Sequence, residues 1–354
     1  MAVTFWLCAA LAGYVYVGYP ALLVVWSRVR GPKACNRTTP SDSWPSVSIV
    51  IAVRNEAQRL PGRLNNLVNL AYAGARQIVV VSDGSTDATA EALRPYADAV
   101  DFISIDAAGK AAALNAGVSI ARHDLLVFAD ARQTFAIDAL FELARPFADP
   151  QVGAVSGELI LEQPEMSGTA DGLGLYWRLE KRIRELESDV DSMVGATGAI
   201  YAVRRSLWTP LPVGTILDDV LVPMRCVMQG QRVVFNRLAL AFDRVADSAA
   251  EARRKRRTHA GNYQLLALEP RLLAPWRNRL WLQYVSHKLG RLLVPYALIG
   301  LFISSASLAS ASAAYAIAFS AQCGFYLLAG LGAFLELADR ARTRSALSLG
   351  RSWR

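Results

Sequence analysis

Val47-Ser-Ile-Val-Ile-Ala-Val53 is the stretch of sequence that decides the fold class. Such a run of β-branched and apolar residues is too short to cross a membrane and is typical of a strand buried on both faces. A second run of the same kind follows at Gln77-Ile-Val-Val-Val-Ser82, and the intervening Glu56–Ala71 places leucines at helical spacing. The order strand, helix, strand is the repeating unit of parallel sheets.

The same alternation continues along the chain. Apolar runs predict four further strands at Phe102–Ile105, Asp124–Ala129, Gly153–Ser156 and Gln231–Phe235. Helices are predicted at Ala88–Tyr96, Ala111–Ala121, Ile137–Ala144, Gly174–Glu187 and Val220–Gln229. We therefore predict an α/β domain that has a mainly parallel sheet with helices on both of its faces.

Polar residues follow three of the predicted strands at the point where each strand ends. Arg54-Asn55-Glu56 follows the first strand, Asp83-Gly84-Ser85-Thr86-Asp87 the second and Asp130-Ala131-Arg132 the fourth. Because ligands of such sheets bind at the carboxyl ends of the strands, we expect these segments to line one site. The alternative is that they are ordinary turn residues and that Asp87 caps the next helix.

The composition excludes several classes of protein. The chain has 354 residues, of which 53% are hydrophobic and 19% are charged, and its mean hydropathy is +0.24. It is too apolar for an ordinary soluble enzyme or a disordered chain, and too charged for a protein that lies wholly in the membrane. We expect one soluble domain of roughly 200–250 residues together with a few membrane spans.

Charge and cysteine content further limit the classes of protein to which the chain can belong. The formal net charge is +8, and this excess suits nucleic acid, anionic lipid or a phosphorylated ligand, so its position must decide between them. The 4 cysteines are scattered and show no CxxC spacing. This pattern argues against a disulfide framework and against a cysteine zinc site.

Two apolar stretches predict membrane helices. Phe5–Trp26 contains no charged residue, and its length of about 33 Å as a helix exceeds a hydrocarbon core of about 30 Å. A cleaved signal peptide is the alternative, but a basic amino-terminal region and a cleavage site of small residues are not evident. Leu292–Leu335 is about twice as long as one span requires, so we predict the two spans Leu292–Ala311 and Ala313–Leu335.

Basic residues flank the predicted spans and indicate the topology. Those that follow the first span are Arg28, Arg30, Lys33 and Arg37, and those that follow the last are Arg340, Arg342, Arg344, Arg351 and Arg354. By the positive-inside rule both flanks face the cytoplasm, which predicts a multi-pass protein of the inner membrane with a cytoplasmic soluble domain. Pro275–Arg291 mixes aromatic and basic residues and predicts a helix in the headgroup layer, although an amphipathic helix of the soluble domain is the alternative.

From about Ser46 to Gln264 the sequence resembles the processive-type family 2 glycosyltransferases. These are membrane-anchored enzymes with a GT-A catalytic domain, related to cellulose, hyaluronan and poly-N-acetylglucosamine synthases. The matching stretches, in chain order, are VSIVIAVRNEA, IVVVSDGSTDAT, GKAAALNAG, LLVFADARQTF, GATGAIYAVRR, ILDDVLVPMRCVMQGQRV and RRKRRTHAGNYQLL. Their joint order and spacing are far more specific than any one motif.

The resemblance implies a binding pocket for the donor nucleotide. The residues assigned to it are Ala52, Arg54, Glu56, Asp83, Lys110, Asp130 and Arg132. A carboxylate such as Asp83 suits the N–H and hydroxyl donors of uracil and ribose. Lys110 opens a predicted helix, and a lysine beside the free N–H groups of a helix start is well placed to bind phosphate.

Asp130 matches the first acid of the Asp-x-Asp signature of this family, which holds a divalent cation against the donor diphosphate. The resemblance therefore implies Mg²⁺ or Mn²⁺ at Asp130, since both ions prefer hard oxygen ligands. The second acid of the signature is replaced by Arg132. An arginine cannot bind the metal but can neutralise a diphosphate directly, so metal dependence is left open.

The acidic pair Asp218-Asp219 matches the position of the catalytic base in the family. Inverting transfer needs a base that deprotonates the acceptor hydroxyl, and the resemblance assigns this role to Asp219, with Asp218 raising its pKa by like charge. The alternative is that the pair caps the following helix. Thr197 and Gly198 are implied as the loop under the acceptor sugar, where glycine allows close approach.

The densest basic run is Arg253-Arg254-Lys255-Arg256-Arg257. Read alone, it could bind nucleic acid or lipid, but no aromatic residues interleave with it, so we do not expect nucleic acid to bind. In the family this position holds a Gln-x-x-Arg-Trp signature, and the resemblance implies that Arg256 and Arg257 bind diphosphate. The tryptophan of the signature is missing, which puts the synthesis of long chains in doubt.

These observations predict an inverting glycosyltransferase with a nucleotide-sugar donor, favouring a UDP-sugar, and a lipid-linked or growing saccharide acceptor. The rival interpretation is a relative that binds nucleotide-sugar or partners without efficient transfer. Membrane lipid and a separate export protein are the further expected partners. The predicted segments are an anchor (1–27), a linker (28–45), a GT-A domain (46–270), an interfacial helix (271–291), a membrane hairpin (292–335) and a cytoplasmic tail (336–354).

Overall fold

The structure is a computed structural model, and it describes residues 1–31, 44–162, 170–244 and 248–351. Most of the predicted linker lies outside these ranges, together with Lys33, Cys35 and Arg37, and so does Arg354. The chain divides into two compact units, one formed by Met1–Gly18 with Leu293–Arg354 and the other by Tyr19–Leu292. The second unit contains the whole sheet and every residue of the predicted site.

Helices and strands alternate through most of the second unit. In the described ranges the α-helices are α1 (Ala2–Gly13), α2 (Tyr19–Arg30), α3 (Leu60–Val68), α4 (Thr89–Ala92), α5 (Lys110–Ile120), α6 (Ala139–Ala144), α7 (Ala170–Val190), α8 (Asp218–Met228), α9 (Ser248–Leu268), α10 (Trp281–Tyr284), α11 (Gly290–Leu308) and α12 (Ala313–Arg351). The strands are β1 (Val47–Val53), β2 (Arg76–Asp83), β3 (Asp101–Ile105), β4 (Leu125–Ala129), β5 (Thr134–Phe135), β6 (Val152–Glu162), β7 (Ile200–Arg204) and β8 (Arg232–Arg244).

The strands form one sheet of eight in the order β3-β2-β1-β4-β7-β6-β8-β5. β1 pairs in parallel with β2 and β4, and β6 pairs in parallel with β8. β7 runs antiparallel between β4 and β6. The sheet is therefore mixed, and β7, which is not among the predicted strands, joins its two parallel parts.

Apolar side chains cover both faces of the sheet, as the continuous apolar runs predict. On one face Val50 and Val81 pack with Leu114 of α5. On the other face Ile49 packs with Leu64 of α3. Because successive strand residues point to opposite faces, β1 contributes to both cores at once. Burying each large apolar side chain contributes about 1.5–3 kcal/mol, which makes this double burial the main driving force for the layered fold.

Three helices in the described part of the chain are long and apolar enough to cross a membrane. They span Ala2–Arg30, Trp281–Leu308 and Ala313–Leu335. The break between the last two lies at residues 309–312, close to the boundary of the two spans predicted at Leu292–Ala311 and Ala313–Leu335. The helix predicted at Pro275–Arg291 is shorter in the structure. Residues 275–280 are not helical, and the helix begins only at Trp281 and continues into the apolar stretch.

The packing of α5 on the sheet leads to a prediction about stability. A Cβ at Gly117 would collide with Val50 and would lie 3.1 Å from Cγ2 of Val81. We expect Gly117→Ala to lower the free energy of unfolding by about 1–3 kcal/mol, because α5 must move away from β1 and β2. Chemical denaturation of the purified protein measures this change.

Gly62→Ala is the matched control, because Gly62 also lies in a helix but a Cβ there would meet nothing within 4 Å. This substitution should leave the stability unchanged or raise it by up to about 1 kcal/mol through helix propensity. Equal stabilities of the two variants would contradict the close packing of α5.

Candidate active site

The loops that follow β1 and β2 are joined by hydrogen bonds at the carboxyl edge of the sheet. The backbone N–H of Asn55 donates to Ser85 Oγ (3.1 Å), and the N–H of Thr86 donates to Asn55 Oδ1 (2.8 Å). Asn55 has a φ of 55°, a left-handed conformation that asparagine tolerates better than most residues. These contacts place the end of β1 beside the loop that follows β2. The segment carries three residues of the predicted donor pocket, which are Ala52, Arg54 and Glu56.

The three residues differ in their neighbours within the domain. Ala52 is opposite Val81 in the parallel register of β1 and β2. The Glu56 carboxylate accepts a hydrogen bond from Arg59 Nη1 at 2.9 Å. Arg54 is exposed to solvent.

Asp83, the last residue of β2, holds the loop that leads into α5. Its buried carboxylate accepts hydrogen bonds from the N–H groups of Ala108 (2.7 Å) and Gly109 (2.9 Å). The adjacent Gly84 has a φ of +59°, and a Cβ there would lie 2.7 Å from Ala107. Asp83 therefore sets the position at which α5 begins, and with it the position of Lys110.

Lys110 lies between two carboxylates that come from different elements. Its Nζ is 3.2 Å from Asp130 Oδ1, just after β4, and 3.4 Å from Asp218 Oδ1, at the start of α8. Burial opposes the charge of the ammonium, but the carboxylates of Asp218 and Asp130 outweigh it and raise the pKa of Lys110 above its ordinary value. Lys110 is therefore a permanently charged centre.

Arg132 has a partner that the sequence does not reveal. Its Nη2 lies 2.6 Å from Oδ2 of Asp243, a buried residue near the end of β8. The same oxygen accepts a hydrogen bond from Gln133 Nε2 at 2.9 Å. The guanidinium that the sequence assigns to a diphosphate is thus neutralised within the chain, whereas the Lys110 ammonium is shared by the acids of the site.

The residues present do not by themselves make a metal site. No group of three or more His, Cys, Asp or Glu side chains in the described ranges could hold a metal ion. Asp130 is a single carboxylate that is already ion-paired with Lys110, and Arg132 is not a ligand. Protein-bound Mg²⁺ and Ca²⁺ take most of their ligands from carboxylate, carbonyl and water oxygens, and one shared carboxylate falls short of such a set.

The acidic pair opens helix α8 and does not cap it. The helix begins at Asp218, and the cap residue Leu217 makes no side-chain cap hydrogen bond. Asp218 is buried, and its second oxygen accepts a hydrogen bond from the fully buried Tyr201 hydroxyl at 3.3 Å. Lys110 and Tyr201 thus each contact one oxygen of the Asp218 carboxylate and fix its position.

Asp219 faces the loop that is predicted to lie under the acceptor. A Cβ at Gly198 would lie only 2.9 Å from Asp219 Oδ2, so only glycine at this position avoids a close contact with the carboxylate. The N–H of Ala196 also donates to the backbone oxygen of Asp219 at 2.6 Å. Glycine at position 198 is therefore a geometric requirement of the site.

The pKa of Asp219 is raised to about 6. Burial is the largest cause, and the like charge of Asp218 adds to it, while the cations Lys110, Lys288 and Arg184 oppose the shift. A carboxylate with a pKa near neutrality is a better general base than an ordinary aspartate and is still ionised at pH 7. The neighbouring Asp218 therefore acts on the chemistry of Asp219 through its charge.

Thr197 is held by two partners. Its backbone N–H donates to Ser156 Oγ at 2.9 Å, and its hydroxyl accepts a hydrogen bond from Arg184 Nη1 on α7 at 2.9 Å. Three residues of this site, Arg184, Tyr201 and Asp243, are not among those predicted from the sequence. Tyr201 lies within a quoted motif and could have been found, but Arg184 and Asp243 lie on elements without any such pattern.

The basic residues of α9 are not brought to the acidic cluster by any described contact. Arg256 and Arg257 are both exposed. Arg254, in the same run, pairs with Glu251 at 2.9 Å and lies 5.4 Å from the centre of the Trp177 ring. The assignment of Arg256 and Arg257 to a diphosphate stays a prediction.

Comparison with known proteins places this geometry in a family. Residues 48–208 match the family described as Glycosyl transferase family 2. A poly-beta-1,6-N-acetyl-D-glucosamine synthase of Staphylococcus aureus is 26% identical over 216 residues, which are 57% of this chain and 50% of the relative. An N-acetylglucosaminyltransferase of Rhizobium sp. is 35% identical over 206 residues, which are 56% of this chain and 45% of the relative. The chain thus spans about half the length of the curated relatives it matches.

A solved structure shows the same fold. A mannosyltransferase from Pyrobaculum calidifontis, in complex with GDP-Man and Mn²⁺, superposes with a TM-score of 0.66 at 22% identity and covers 92% of each chain. This likeness confirms the predicted GT-A-like arrangement of a sheet with helices on both sides. The matched family, the homologous relatives and the fold agree with the motifs of the sequence, and residues 48–208 therefore form a glycosyltransferase family 2 domain.

Proposed function

We propose that this protein is an inverting glycosyltransferase that moves a sugar from a nucleotide-sugar to a lipid-linked or growing saccharide acceptor. The observation that carries the proposal is the position of Asp219, a carboxylate of raised pKa that faces the open Gly198 loop. The Lys110 ammonium contacts the neighbouring acid Asp218. A base and a fixed cation at one sheet edge are the two groups that inverting transfer needs.

The donor lies, in this proposal, along the carboxyl edge of β1, β2 and β4. Asp83 and Glu56 contribute carboxylates for the N–H and hydroxyl groups of the nucleotide. Lys110 contributes positive charge to the diphosphate, which gains negative charge as it leaves. We assign uridine as the preferred base because the resemblance to UDP-sugar enzymes covers these positions.

The acceptor approaches over Thr197 and Gly198. Asp219 takes the proton of the acceptor hydroxyl while the oxygen of that hydroxyl forms a bond to the anomeric carbon of the donor sugar. The bond from that carbon to the diphosphate breaks on the opposite face, and its electron pair leaves with the nucleoside diphosphate. Lys110 and Tyr201 both contact the Asp218 carboxylate and hold it beside the base.

The names of the relatives indicate the sugar. One is a synthase of poly-N-acetylglucosamine and another is an N-acetylglucosaminyltransferase. We therefore propose an N-acetylhexosamine, with a simple hexose as the second choice. The mannosyltransferase of the same fold is bound to Mn²⁺, but the side chains around Asp130 do not form a metal site by themselves, and no step proposed here passes through a metal.

We further propose that the protein lies in the inner membrane with its family 2 domain in the cytoplasm. Three helices of membrane-spanning length support this arrangement. The basic flanks Arg28 and Arg30 at the end of the first helix agree with the positive-inside rule. Polymer export, if the product is a polymer, is assigned to a separate protein.

A donor screen tests the proposed function and its main rival. Purified protein in detergent is offered a panel of nucleotide-sugars, each with Mn²⁺ or with a chelator, and both binding and nucleotide release are measured. Release with one donor supports an enzyme. Binding without release, for every donor and acceptor offered, would favour the rival interpretation of a relative that binds nucleotide-sugar without transfer.

The base assignment leads to a direct prediction. Asp219→Asn keeps the shape of the side chain and removes its proton acceptor, so turnover should fall by about 10²–10⁴-fold while the donor still binds. Steady-state nucleotide release and donor titration measure the two properties. The control is Asp189→Asn, which removes a carboxylate of α7 outside the acidic pair and should be fully active. Unchanged turnover of Asp219→Asn would overturn the assignment.

The raised pKa of Asp219 predicts a pH profile. The base must be deprotonated, so activity should be constant above about pH 6 and fall tenfold per pH unit below it. Asp218→Asn removes the like charge that helps to raise the pKa of Asp219, so this pKa should fall and the acid limb should move to lower pH.

Asp189→Asn serves as the control for this profile, because Asp189 lies on α7 outside the acidic pair. Its acid limb should coincide with that of the unmodified protein. An identical shift in both aspartate variants would show that the effect is not specific to Asp218.

The topology has its own test. Reporters inserted near Arg37 and fused after Arg354 should both give a cytoplasmic signal in cells, because both flanks are basic. A periplasmic signal from either position would contradict the three-span arrangement and the access of the domain to cytoplasmic donors.

A further inference from the structure

The loop that carries Thr197 and Gly198 is attached directly to the proposed base. We call residues 194–198 the acceptor loop. The N–H of Ala196 donates to the backbone oxygen of Asp219 at 2.6 Å, and a Cβ at Gly198 would lie 2.9 Å from Asp219 Oδ2. A shift of this loop would therefore change the surroundings of the carboxylate that takes the acceptor proton.

Two side chains of α7 contact the acceptor loop. Arg184 Nη1 donates to Thr197 Oγ1 at 2.9 Å, and Glu187 Oε2 accepts a hydrogen bond from the N–H of Val194 at 3.2 Å. Arg184 and Glu187 are three positions apart on one helix, so their side chains are neighbours on its surface. Helix α7 thus holds the acceptor loop near both of its ends.

The contact between Arg184 and Thr197 is a strong one for its kind. Thr197 is buried, so its polar groups need partners within the protein. Its N–H donates to Ser156 Oγ at 2.9 Å, and the hydroxyl oxygens of the two residues lie 3.2 Å apart. Arg184 is the charged partner of this hydroxyl, and a hydrogen bond from a charged donor is roughly twice as strong as a neutral one.

A buried ionic network anchors the two side chains of α7. Glu180 Oε1 lies 3.6 Å from Arg184 Nε, one turn away on the same helix. His287 joins the two carboxylates, with Nε2 3.1 Å from Glu180 Oε1 and Nδ1 2.8 Å from Glu187 Oε1. Glu180, Glu187 and His287 are all buried, and hydrogen bonds shielded from water are strengthened by the low local dielectric.

The network takes its members from three parts of the chain. Tyr19 begins α2, and its hydroxyl donates to Glu187 Oε1 at 2.6 Å. Arg291 lies on α11, and its Nη1 is 2.5 Å from Glu180 Oε2. These residues and the acceptor loop all belong to the Tyr19–Leu292 unit. The position of Arg184 is therefore fixed by packing between distant segments as well as by its own helix.

We propose that Arg184 is a positioning residue of the transfer reaction, which holds Thr197 so that the acceptor loop presents the acceptor hydroxyl to Asp219. This inference rests on the proposed function and adds a residue to its acceptor side. Arg184 does not touch the reacting atoms and acts through Thr197. The effect is large because a displacement of about 1 Å from the reactive geometry can lower a rate by about 10²-fold.

A double-mutant cycle tests whether Arg184 acts through Thr197. Arg184→Met removes the donor of their hydrogen bond, and Thr197→Val removes its acceptor. With the substrates found in the screen, Arg184→Met should lower kcat/KM for the acceptor by about 10–10²-fold. The same change should cost less than about twofold in the Thr197→Val background, because the contact is already lost there. In the Thr197→Ser background, which keeps a hydroxyl, the loss should again be about 10–10²-fold.

Donor binding and the pH profile separate positioning from other roles. Donor affinity should be unchanged in Arg184→Met, because Arg184 contacts the acceptor loop. The Arg184 charge also lowers the pKa of Asp219, so its removal should move the acid limb to higher pH. The loss of transfer should nevertheless persist at about pH 8, where the base is ionised. A loss that disappears at about pH 8 would assign the effect to charge and overturn the inference.

The matched control is Arg182→Gln, because Arg182 lies on the same helix and pairs with Glu185 at 3.0 Å on its exposed face. It should leave transfer unchanged in all three backgrounds. Equal losses from Arg184→Met in every Thr197 background would overturn the inference and leave the glycosyltransferase intact. Failure of the unmodified protein to release nucleotide from any donor with any acceptor would instead overturn the proposed function.

A second comparison decides the question if Arg184→Met does not fold. Thr197→Val and Thr197→Ser both leave the ionic network in place, and only the serine keeps the hydroxyl that Arg184 contacts. Transfer should be about tenfold lower in Thr197→Val than in Thr197→Ser, with equal donor affinity. Equal transfer by the two variants would show that the hydroxyl is not needed and would overturn the inference.

Discussion

The ammonium of Lys110 is the interaction on which the rest of the site depends. It contacts Asp130 after β4 and Asp218 at the start of α8, so three elements meet at one charge. Without it, the like charges of Asp130, Asp218 and Asp219 would face one another with less compensation. The pKa of Lys110 is raised although burial opposes its charge, which shows that attraction to the carboxylates is the larger effect. Asp83 fixes the lysine in place by holding the loop before α5.

A steric constraint complements this electrostatic one. Gly198 leaves room against Asp219 that any other residue would fill. Lys110 contacts Asp218 from the start of α5, and Arg184 of α7 donates to the Thr197 hydroxyl beside Gly198. In our proposal Lys110 serves the donor and the loop of Thr197 and Gly198 serves the acceptor.

Much of the fold follows from local patterns. The apolar runs of β1 and β2 can be read directly, because a strand buried on both faces has no polar alternation. Polar clusters after β1, β2 and β4 indicate the edge of the sheet that carries the site. The lengths of the apolar helices follow from composition in the same way. β7 cannot be predicted in this way. It has only five residues between a glycine-rich loop and a basic turn, and such a short segment shows no clear strand pattern.

The sequence by itself determined the fold class, the family motifs and the residues that converge at the carboxyl edge of the sheet. Only the tertiary structure decided which of these residues contact one another. Arg132 pairs with Asp243, and Tyr201 reaches Asp218, because the strand order brings distant segments together. Burial then changes their chemistry, as it does for Asp219. Such pairings depend on how whole helices and strands pack together, and local sequence patterns do not predict that packing.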